Sequence, residues 1–206
     1  LGKGSNTLFD SKGYDGVVIQ NKIDHIKETS PGIFHVGSGV SFSRLGSLTA
    51  RHGWSGLEFA SGIPGTVGGA IFMNAGATGS ESCERLRAVT ILKEDGTLKT
   101  WDREQLTFGY RTSPFQSTQE VILEAIFKLS PSDDARQKQL DIINYRTESQ
   151  PYGDLSAGCM FRNPEVGSAG AIIDQCSLKG ISVGGAKISE KHANFIINTG
   201  ACTSDE

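Results

Sequence analysis

The sequence lacks the features that mark disulfide-stabilised, zinc-binding or membrane-spanning proteins. Its four cysteines lie far apart and form no Cys-x-x-Cys pair, so we predict neither a disulfide framework nor a metal site. No run approaches the roughly 18 consecutive apolar residues of a membrane-spanning helix, and residues 1–4 do not resemble a signal peptide. We therefore expect a cytoplasmic protein with no membrane partner.

Positive charge is not concentrated in any one stretch. The 20 lysines and arginines are spread along the 206 residues, and the formal net charge is -3. Nucleic acids and anionic membrane surfaces attract clustered positive charge, so we expect neither as a partner. The sequence favours a monomer that acts on small molecules.

Both ends of the chain look cut. The chain does not begin with Met, and a strand should precede its opening glycines. At the other end, Thr203–Glu206 resembles the start of a capped helix. We expect an internal fragment of a longer protein.

The spacing of apolar residues predicts a mixture of strands and helices. The β-branched stretch Gly16–Ile19 and the alternating Phe34–Val36 predict a first hairpin or meander. Helical spacing predicts a helix over Ser41–Arg51, and Asp95-Gly96 between two apolar stretches predicts a hairpin turn. The further predictions are a strand over 121–129, a polar helix over 132–148 connecting two domains, a helix over 169–178 and a strand over 193–198. Together these elements predict an α+β fold.

Glycine is abundant, at 26 residues, and is concentrated in short patches. We call residues 2–6 (Gly-Lys-Gly-Ser-Asn) the first glycine segment and residues 61–77 the second glycine segment. Backbone of this kind can press against a flat or phosphorylated ligand, although glycine-rich turns are more often only turns. Neither segment has the spacing of a Rossmann or Walker motif, so we exclude both of those sites.

Four parts of the sequence together resemble one enzyme family. They are residues 2–6, the Gly-Ile-Pro-Gly-Thr-Val-Gly-Gly-Ala run at 62–70 with Met-Asn-Ala-Gly at 73–76, Phe108–Ser113, and Ser189–Phe195. In this order they resemble the segments of the UDP-N-acetylenolpyruvoylglucosamine reductase (MurB) family.

The resemblance implies an FAD-binding domain of the PCMH (vanillyl-alcohol-oxidase-like) type over residues 1–131 and an α+β substrate-binding domain over 150–206. It implies FAD and NADPH as cofactors, and the reduction of UDP-N-acetylglucosamine enolpyruvate to UDP-N-acetylmuramate in peptidoglycan synthesis. The residues expected to contact FAD are Gly2, Gly4, Ser5, Asn6, Gly62, Ile63, Pro64, Gly65, Thr66, Gly68, Gly69 and Gly76.

Arg111 resembles the catalytic arginine of the family. Reduction of the enolpyruvyl group leaves negative charge beside the substrate carboxylate, and a planar guanidinium binds a carboxylate through two parallel hydrogen bonds. The alternative from the residue alone is an ordinary surface ion pair. Tyr110, Arg111 and Asn163 are expected to contact the substrate.

Cys159 stands where the family usually has the serine that donates a proton. A thiol, with a reference pKa of about 8.5, is a stronger acid than an alkyl hydroxyl, so we predict that Cys159 protonates the substrate carbon. The alternative is a small buried hydrophobe in an inactive protein. The resemblance places a third catalytic residue, a glutamate, beyond residue 206.

Two other functions stay open on the sequence. One is a flavin-dependent oxidase with the same fold, which does not explain Arg111–Ser113 together with Cys159–Asn163. The other is a paralogue that binds FAD without turnover, and the cysteine at position 159 is the only feature that supports it.

Overall fold

The computed structural model describes residues 1–200 and 202–206. In chain order its strands are β1 (Ile26–Ser30), β2 (Ile33–Gly37), β3 (Trp54–Ser55), β4 (Gly76–Ala77), β5 (Ser80–Glu81), β6 (Leu86–Leu92), β7 (Leu98–Asp102), β8 (Val121–Lys128), β9 (Ser130–Pro131), β10 (Ser182–Val183), β11 (Ala186–Ile188) and β12 (Ile196–Asn198). Its α-helices are α1 (Phe42–Arg51), α2 (Val67–Phe72), α3 (Ala135–Ser149) and α4 (Ala169–Gln175). Within this described part of the chain, no helix has both the length and the apolar character needed to cross a membrane.

The chain divides into two compact units. The first comprises Leu1–Lys3 and Ile19–Ile143, and the second comprises Gly4–Val18 and Asn144–Glu206. The division falls within α3, which covers most of the polar helix that the sequence predicted. The predicted domain limits, 1–131 and 150–206, stay a prediction.

An antiparallel sheet in the order β1-β2-β8-β6-β7 is the framework of the first unit. Strands β6 and β7 pair from Ala88 opposite Asp102 to Leu92 opposite Leu98, which confirms the hairpin predicted around Asp95-Gly96. Gly96 is at φ +80 there, a conformation that glycine adopts without steric cost. Separate helices beside antiparallel strands confirm the α+β class.

The stretch Gly16–Ile19 does not form the predicted strand. The first hairpin consists instead of β1 and β2, in which Ile26 lies opposite Val36. The side chains of Val17 and Ile19 are 85% and 76% exposed. Strand propensity depends on packing against a sheet, so β-branched residues without such a surface do not make a strand.

Two elements of the second unit are shorter than predicted. Helix α4 ends at Gln175, and β12 includes only the last three residues of the predicted strand over 193–198. The reason for the second difference is a turn, in which the Phe195 N–H donates to the His192 carbonyl at 3.0 Å. This turn prevents residues 193–195 from extending the strand.

Helix α1 brings the second glycine segment against the core of the first unit. Ser41 caps the helix, since its Oγ accepts a hydrogen bond from the Arg44 N–H at 3.4 Å. At Gly46 a Cβ atom would lie 2.5 Å from the Leu57 carbonyl oxygen. The absence of a side chain at Gly46 therefore lets the 3₁₀ helix Glu58–Gly62 lie directly on α1.

Candidate active site

Helix α2 forms the middle of the second glycine segment, and its first amides are already bonded within the protein. Thr66 caps the helix by accepting from the Gly69 N–H at 3.3 Å. The N–H groups of Val67 and Gly68 donate to the carbonyls of Val40 and Ser38 at 2.9 and 2.8 Å. These amides are therefore not available for an anionic ligand.

The stretch just before α2 is one accessible part of this segment. Pro64 is exposed, and Ile63 and Gly65 are half-buried. Gly65 is at φ +126, and no atom lies within 4 Å of the position of a Cβ there. This backbone leaves space for a flat ligand to approach closely.

The two glycine segments meet at Gly2. A Cβ at Gly2 would lie 2.5 Å from Thr66 Oγ1, so the Gly2 backbone packs closely against the Thr66 side chain because position 2 has no side chain. Gly4 is at φ +72, and the Thr7 N–H donates to its carbonyl at 3.2 Å. Ser5 and Asn6 therefore stand at the corner of a tight turn.

Two of the predicted FAD-contacting glycines have a packing role as well. A Cβ at Gly68 would lie 2.9 Å from Ser38 Cβ, and one at Gly76 would lie 2.6 Å from the Ser80 carbonyl oxygen. Their close contacts with the protein itself are sufficient to require glycine. Contact of Gly62, Gly68, Gly69 and Gly76 with FAD stays a prediction.

A buried hydroxyl near the accessible stretch fits a polar ligand. Among the described residues, Ser61 Oγ and Glu58 Oε1 are buried atoms without a hydrogen-bond partner. Buried polar atoms are nearly always bonded, and a ligand with polar groups can supply the partner. The open backbone at Gly65 and the Ser61 hydroxyl together fit a dinucleotide such as FAD.

The Arg111 side chain contacts the second glycine segment. Tyr110 and Arg111 are the central residues of a tight turn closed by two hydrogen bonds between Gly109 and Thr112, at 3.2 and 3.0 Å. Arg111 is at φ +57, and its Nη2 donates to the Gly76 carbonyl at 2.8 Å. The structure thus brings together Arg111 and the second glycine segment, which the sequence predicted separately.

Asn74 is a residue of this site that the sequence reasoning missed. It is fully buried, and its Nδ2 donates to Glu81 Oε2 at 2.7 Å and to the Gly109 carbonyl at 3.0 Å. Its own carbonyl accepts from Arg111 Nη1 at 3.5 Å. The detectable signal was its place inside a glycine-rich motif, since asparagine tolerates the positive φ of +40 that it adopts.

Cys159 is an exposed cysteine of the second unit that forms no disulfide. Backbone contacts fix its position. Cys159 forms an isolated antiparallel β-bridge with Phe195, and the Met160 N–H donates to the Asn194 carbonyl at 2.9 Å. The Asn194 side chain accepts from the Phe161 N–H at 2.9 Å and donates to the Phe161 carbonyl at 2.8 Å. Exposure leaves the thiol accessible to a substrate.

A second cation, Arg146, lies near Cys159 and was also missed. Burial lowers the pKa of the Arg146 guanidinium, while the charges of Tyr152 and Cys159 raise it. Arg146 belongs to the predicted polar helix, where no local signal distinguished it from the other charged residues. A guanidinium stays protonated at neutral pH, and it places positive charge near the thiol.

Asn163 and His192 both make structural contacts. Asn163 Oδ1 accepts from the Ala169 N–H at 3.0 Å, at the start of α4. Burial lowers the pKa of His192, whose Nδ1 accepts from the Asn194 N–H at 3.3 Å. Substrate binding by Asn163 stays a prediction.

In the part of the chain that the structure describes, no three His, Cys, Asp or Glu side chains are arranged to hold a metal ion. None of the four cysteines, all of which the structure describes, forms a disulfide.

Two families match separate parts of the chain. Residues 1–102 match the family described as "FAD binding domain". Residues 150–206 match "UDP-N-acetylenolpyruvoylglucosamine reductase, C-terminal domain". These matches support an FAD-binding module followed by a second domain.

Individual relatives match the chain over its whole length. The UDP-N-acetylenolpyruvoylglucosamine reductase of Protochlamydia amoebophila (strain UWE25) is 57% identical over 206 residues, which is 100% of this chain and 69% of that protein. The protein of the same name from Chlamydia trachomatis serovar L2 is 52% identical over 100% of this chain and 71% of its own length. The crystal structure of UDP-N-acetylenolpyruvylglucosamine reductase (MurB) from Thermus caldophilus superposes with a TM-score of 0.85 at 35% identity, covering 100% of this chain and 76% of that one. On these similarities, the chain belongs to the UDP-N-acetylenolpyruvoylglucosamine reductase family.

Proposed function

We propose that the protein catalyses the NADPH-dependent, FAD-mediated reduction of UDP-N-acetylglucosamine enolpyruvate to UDP-N-acetylmuramate in peptidoglycan synthesis. The observation that carries the proposal is the contact of Arg111 with the Gly76 carbonyl at 2.8 Å. This contact places a cation on the same glycine segment that has open backbone at Gly65. A flavin and an anionic substrate can therefore be held next to each other.

FAD is proposed to bind along the predicted residues of the two glycine segments, and the FAD-binding domain is proposed to extend over residues 1–131. The match of residues 1–102 to an FAD-binding family supports both statements. When bound, FAD supplies the hydride carrier between NADPH and the enolpyruvyl double bond. The open backbone at Gly65 and the buried Ser61 hydroxyl are the groups of this chain that would receive it.

Arg111 is proposed to bind the substrate carboxylate. Hydride addition to the terminal enolpyruvyl carbon leaves charge on the adjacent carbon and its carboxylate, and a guanidinium stabilises that charge. Tyr110, whose ring lies 4.9 Å from the Arg111 guanidinium, is proposed to line the same subsite.

Cys159 is proposed to donate the proton that completes the reduction. The double bond takes up a hydride at one carbon and a proton at the other, so the Cys159 S–H bond breaks as a C–H bond forms. The exposure of the thiol and the nearby positive charge of Arg146 support this role, since a cation stabilises the thiolate left behind. Asn163 is proposed to bind the substrate in the same domain, over residues 150–206.

The remaining parts of the proposal concern the cell. The reaction is proposed to occur in the cytoplasm, where NADPH and nucleotide-activated sugars are available, with the enzyme acting as a monomer. Through peptidoglycan synthesis it would serve cell shape and cell division.

The proposal is tested by following NADPH oxidation by the intact protein with and without the enolpyruvyl substrate. We expect a flavin absorption spectrum and substrate-dependent NADPH loss. Cys159→Ala is expected to lower kcat about 10²- to 10⁴-fold, the usual contribution of a general acid, whereas Cys159→Ser is expected to keep measurable activity. Cys176→Ala, at another exposed free thiol of the second unit, is the matched control and is expected to behave as the parent.

Each part of the proposal has its own contrary result. A Cys159→Ala enzyme as fast as the parent would refute the role of the thiol. A yellow protein without substrate-dependent NADPH oxidation would indicate a flavin oxidase or an inactive paralogue.

A further inference from the structure

We infer that Gln116 is a positioning residue for Arg111, an inference that rests on the proposed binding of the substrate carboxylate by Arg111. Arg111 is at φ +57, a left-handed conformation that is unfavourable for residues with a side chain. Such a conformation persists only where surrounding groups hold it. The groups that bond the Arg111 backbone therefore influence how often its guanidinium is correctly presented.

Gln116 provides a side-chain contact to the Arg111 peptide itself. Its Nε2 donates to the Arg111 carbonyl at 3.1 Å and to the Phe72 carbonyl at 2.9 Å. Phe72 is the last residue of α2, and carbonyls in the last turn of a helix lack an intrahelical partner. One amide group thus joins the Arg111 turn to the end of the helix in the second glycine segment.

The Gln116 hydrogen bond affects the backbone conformation of Arg111 and contributes little to the packing of the core. The direction of the Arg111 carbonyl depends on the backbone dihedrals of that residue, so the Gln116 bond favours the left-handed conformation. In that conformation Arg111 Nη2 reaches the Gly76 carbonyl at 2.8 Å. Gln116 itself is exposed, so removing its amide opens no cavity in the core.

Gln116→Met tests the inference because it keeps the length of the side chain and removes both donors. Without a supporting bond, the left-handed conformation of a residue with a side chain is about fivefold to thirtyfold less populated than the right-handed one. We expect kcat/KM for the enolpyruvyl substrate to fall by a similar factor. The rate of flavin reduction by NADPH alone is expected to stay within about twofold, because no substrate carboxylate is bound in that step. Gln119→Met, at an exposed glutamine three residues further along the chain, is the matched control.

A double-mutant cycle with Arg111→Ala separates positioning from general structural damage. We expect Gln116→Met to cause no further loss in the Arg111→Ala background, because the residue to be positioned is gone. Losses that multiply, or a Gln116→Met enzyme equal to the parent while Arg111→Ala is slow, would overturn the inference. If Gln116→Met folds poorly, Gln116→Ala replaces it in the cycle, and the same two outcomes would overturn the inference.

Failure of the proposed function gives a different pattern. If Arg111→Ala itself reduced the enolpyruvyl substrate as fast as the parent, the role of Arg111 would be wrong, and the positioning role of Gln116 would fall with it.

Discussion

Replacing Gly46 by alanine is expected to destabilise the protein, although alanine is the better helix former. In an open helix the change would stabilise by about 1 kcal/mol. In α1 the new Cβ would lie 2.5 Å from the Leu57 carbonyl oxygen, 2.9 Å from the Ser61 amide nitrogen and 3.0 Å from Ala60 Cβ. Two of these three atoms belong to the backbone, so no side-chain rotation relieves the contact.

The magnitude follows from the movement that the contacts require. Non-bonded heavy atoms attract each other best at about 3.5 Å or more, and the Leu57 carbonyl oxygen would lie 2.5 Å from the new Cβ, so α1 must separate from the segment that carries Leu57 and the following 3₁₀ helix by about 1 Å. Overpacking of this kind costs about 1–3 kcal/mol. Because two of the three contacts are with backbone atoms, the upper part of this range, about 2–3 kcal/mol, applies. After the gain of about 1 kcal/mol in helix propensity, we expect the free energy of unfolding to fall by about 1–2 kcal/mol.

Urea unfolding of the intact protein measures this change, with Arg44→Ala as the control on the same helix. Arg44 is exposed and pairs with Asp24 at 3.1 Å, a surface pair worth about 0–1 kcal/mol. The displaced 3₁₀ helix leads into the Ile63–Gly65 stretch, so FAD is also expected to bind more weakly to Gly46→Ala. If Gly46→Ala were as stable as the parent or more so, the close approach of α1 to the glycine segment would be refuted.

Two further predictions concern the second unit. Burial lowers the pKa of His192 below its ordinary value of 6.5, so below that pH the unfolded chain binds more protons than the folded protein. The contribution of His192 to stability is therefore expected to be fully present above pH 6.5 and to fall as the pH drops. Urea midpoints at pH 5.5 and 7.5 check this, and His192→Gln should reduce the difference between them; an undiminished difference would assign it to other groups. Asn194→Ala is expected to cost about 1–3 kcal/mol, because it leaves the Phe161 N–H and carbonyl without their partner. An unfolding free energy equal to the parent's would show that water replaces both bonds.

Several elements could be predicted from the sequence because their causes are local. The hairpin around Asp95-Gly96 depends on residues a few positions apart, and so does the capping of α1 by Ser41. The glycine segments were also recognisable, since a motif that presents backbone to a ligand has to be contiguous. Gly16–Ile19 shows the limit of this reasoning, because strand propensity without a neighbouring strand produced no strand.

The arrangement of the candidate site was decided by tertiary structure. The contacts of Arg111 with the carbonyls of Asn74 and Gly76 join residues 37 and 35 positions apart, and Gly2 meets Thr66 across a longer separation. Cys159 also raises the pKa of Arg146 electrostatically, although the sequence showed only a polar helix at Arg146. Such contacts depend on how the strands and helices pack, and no spacing within a single segment encodes them. The sequence alone therefore determined which residues are candidates for the chemistry, and the packing of each unit determined which groups hold them in place.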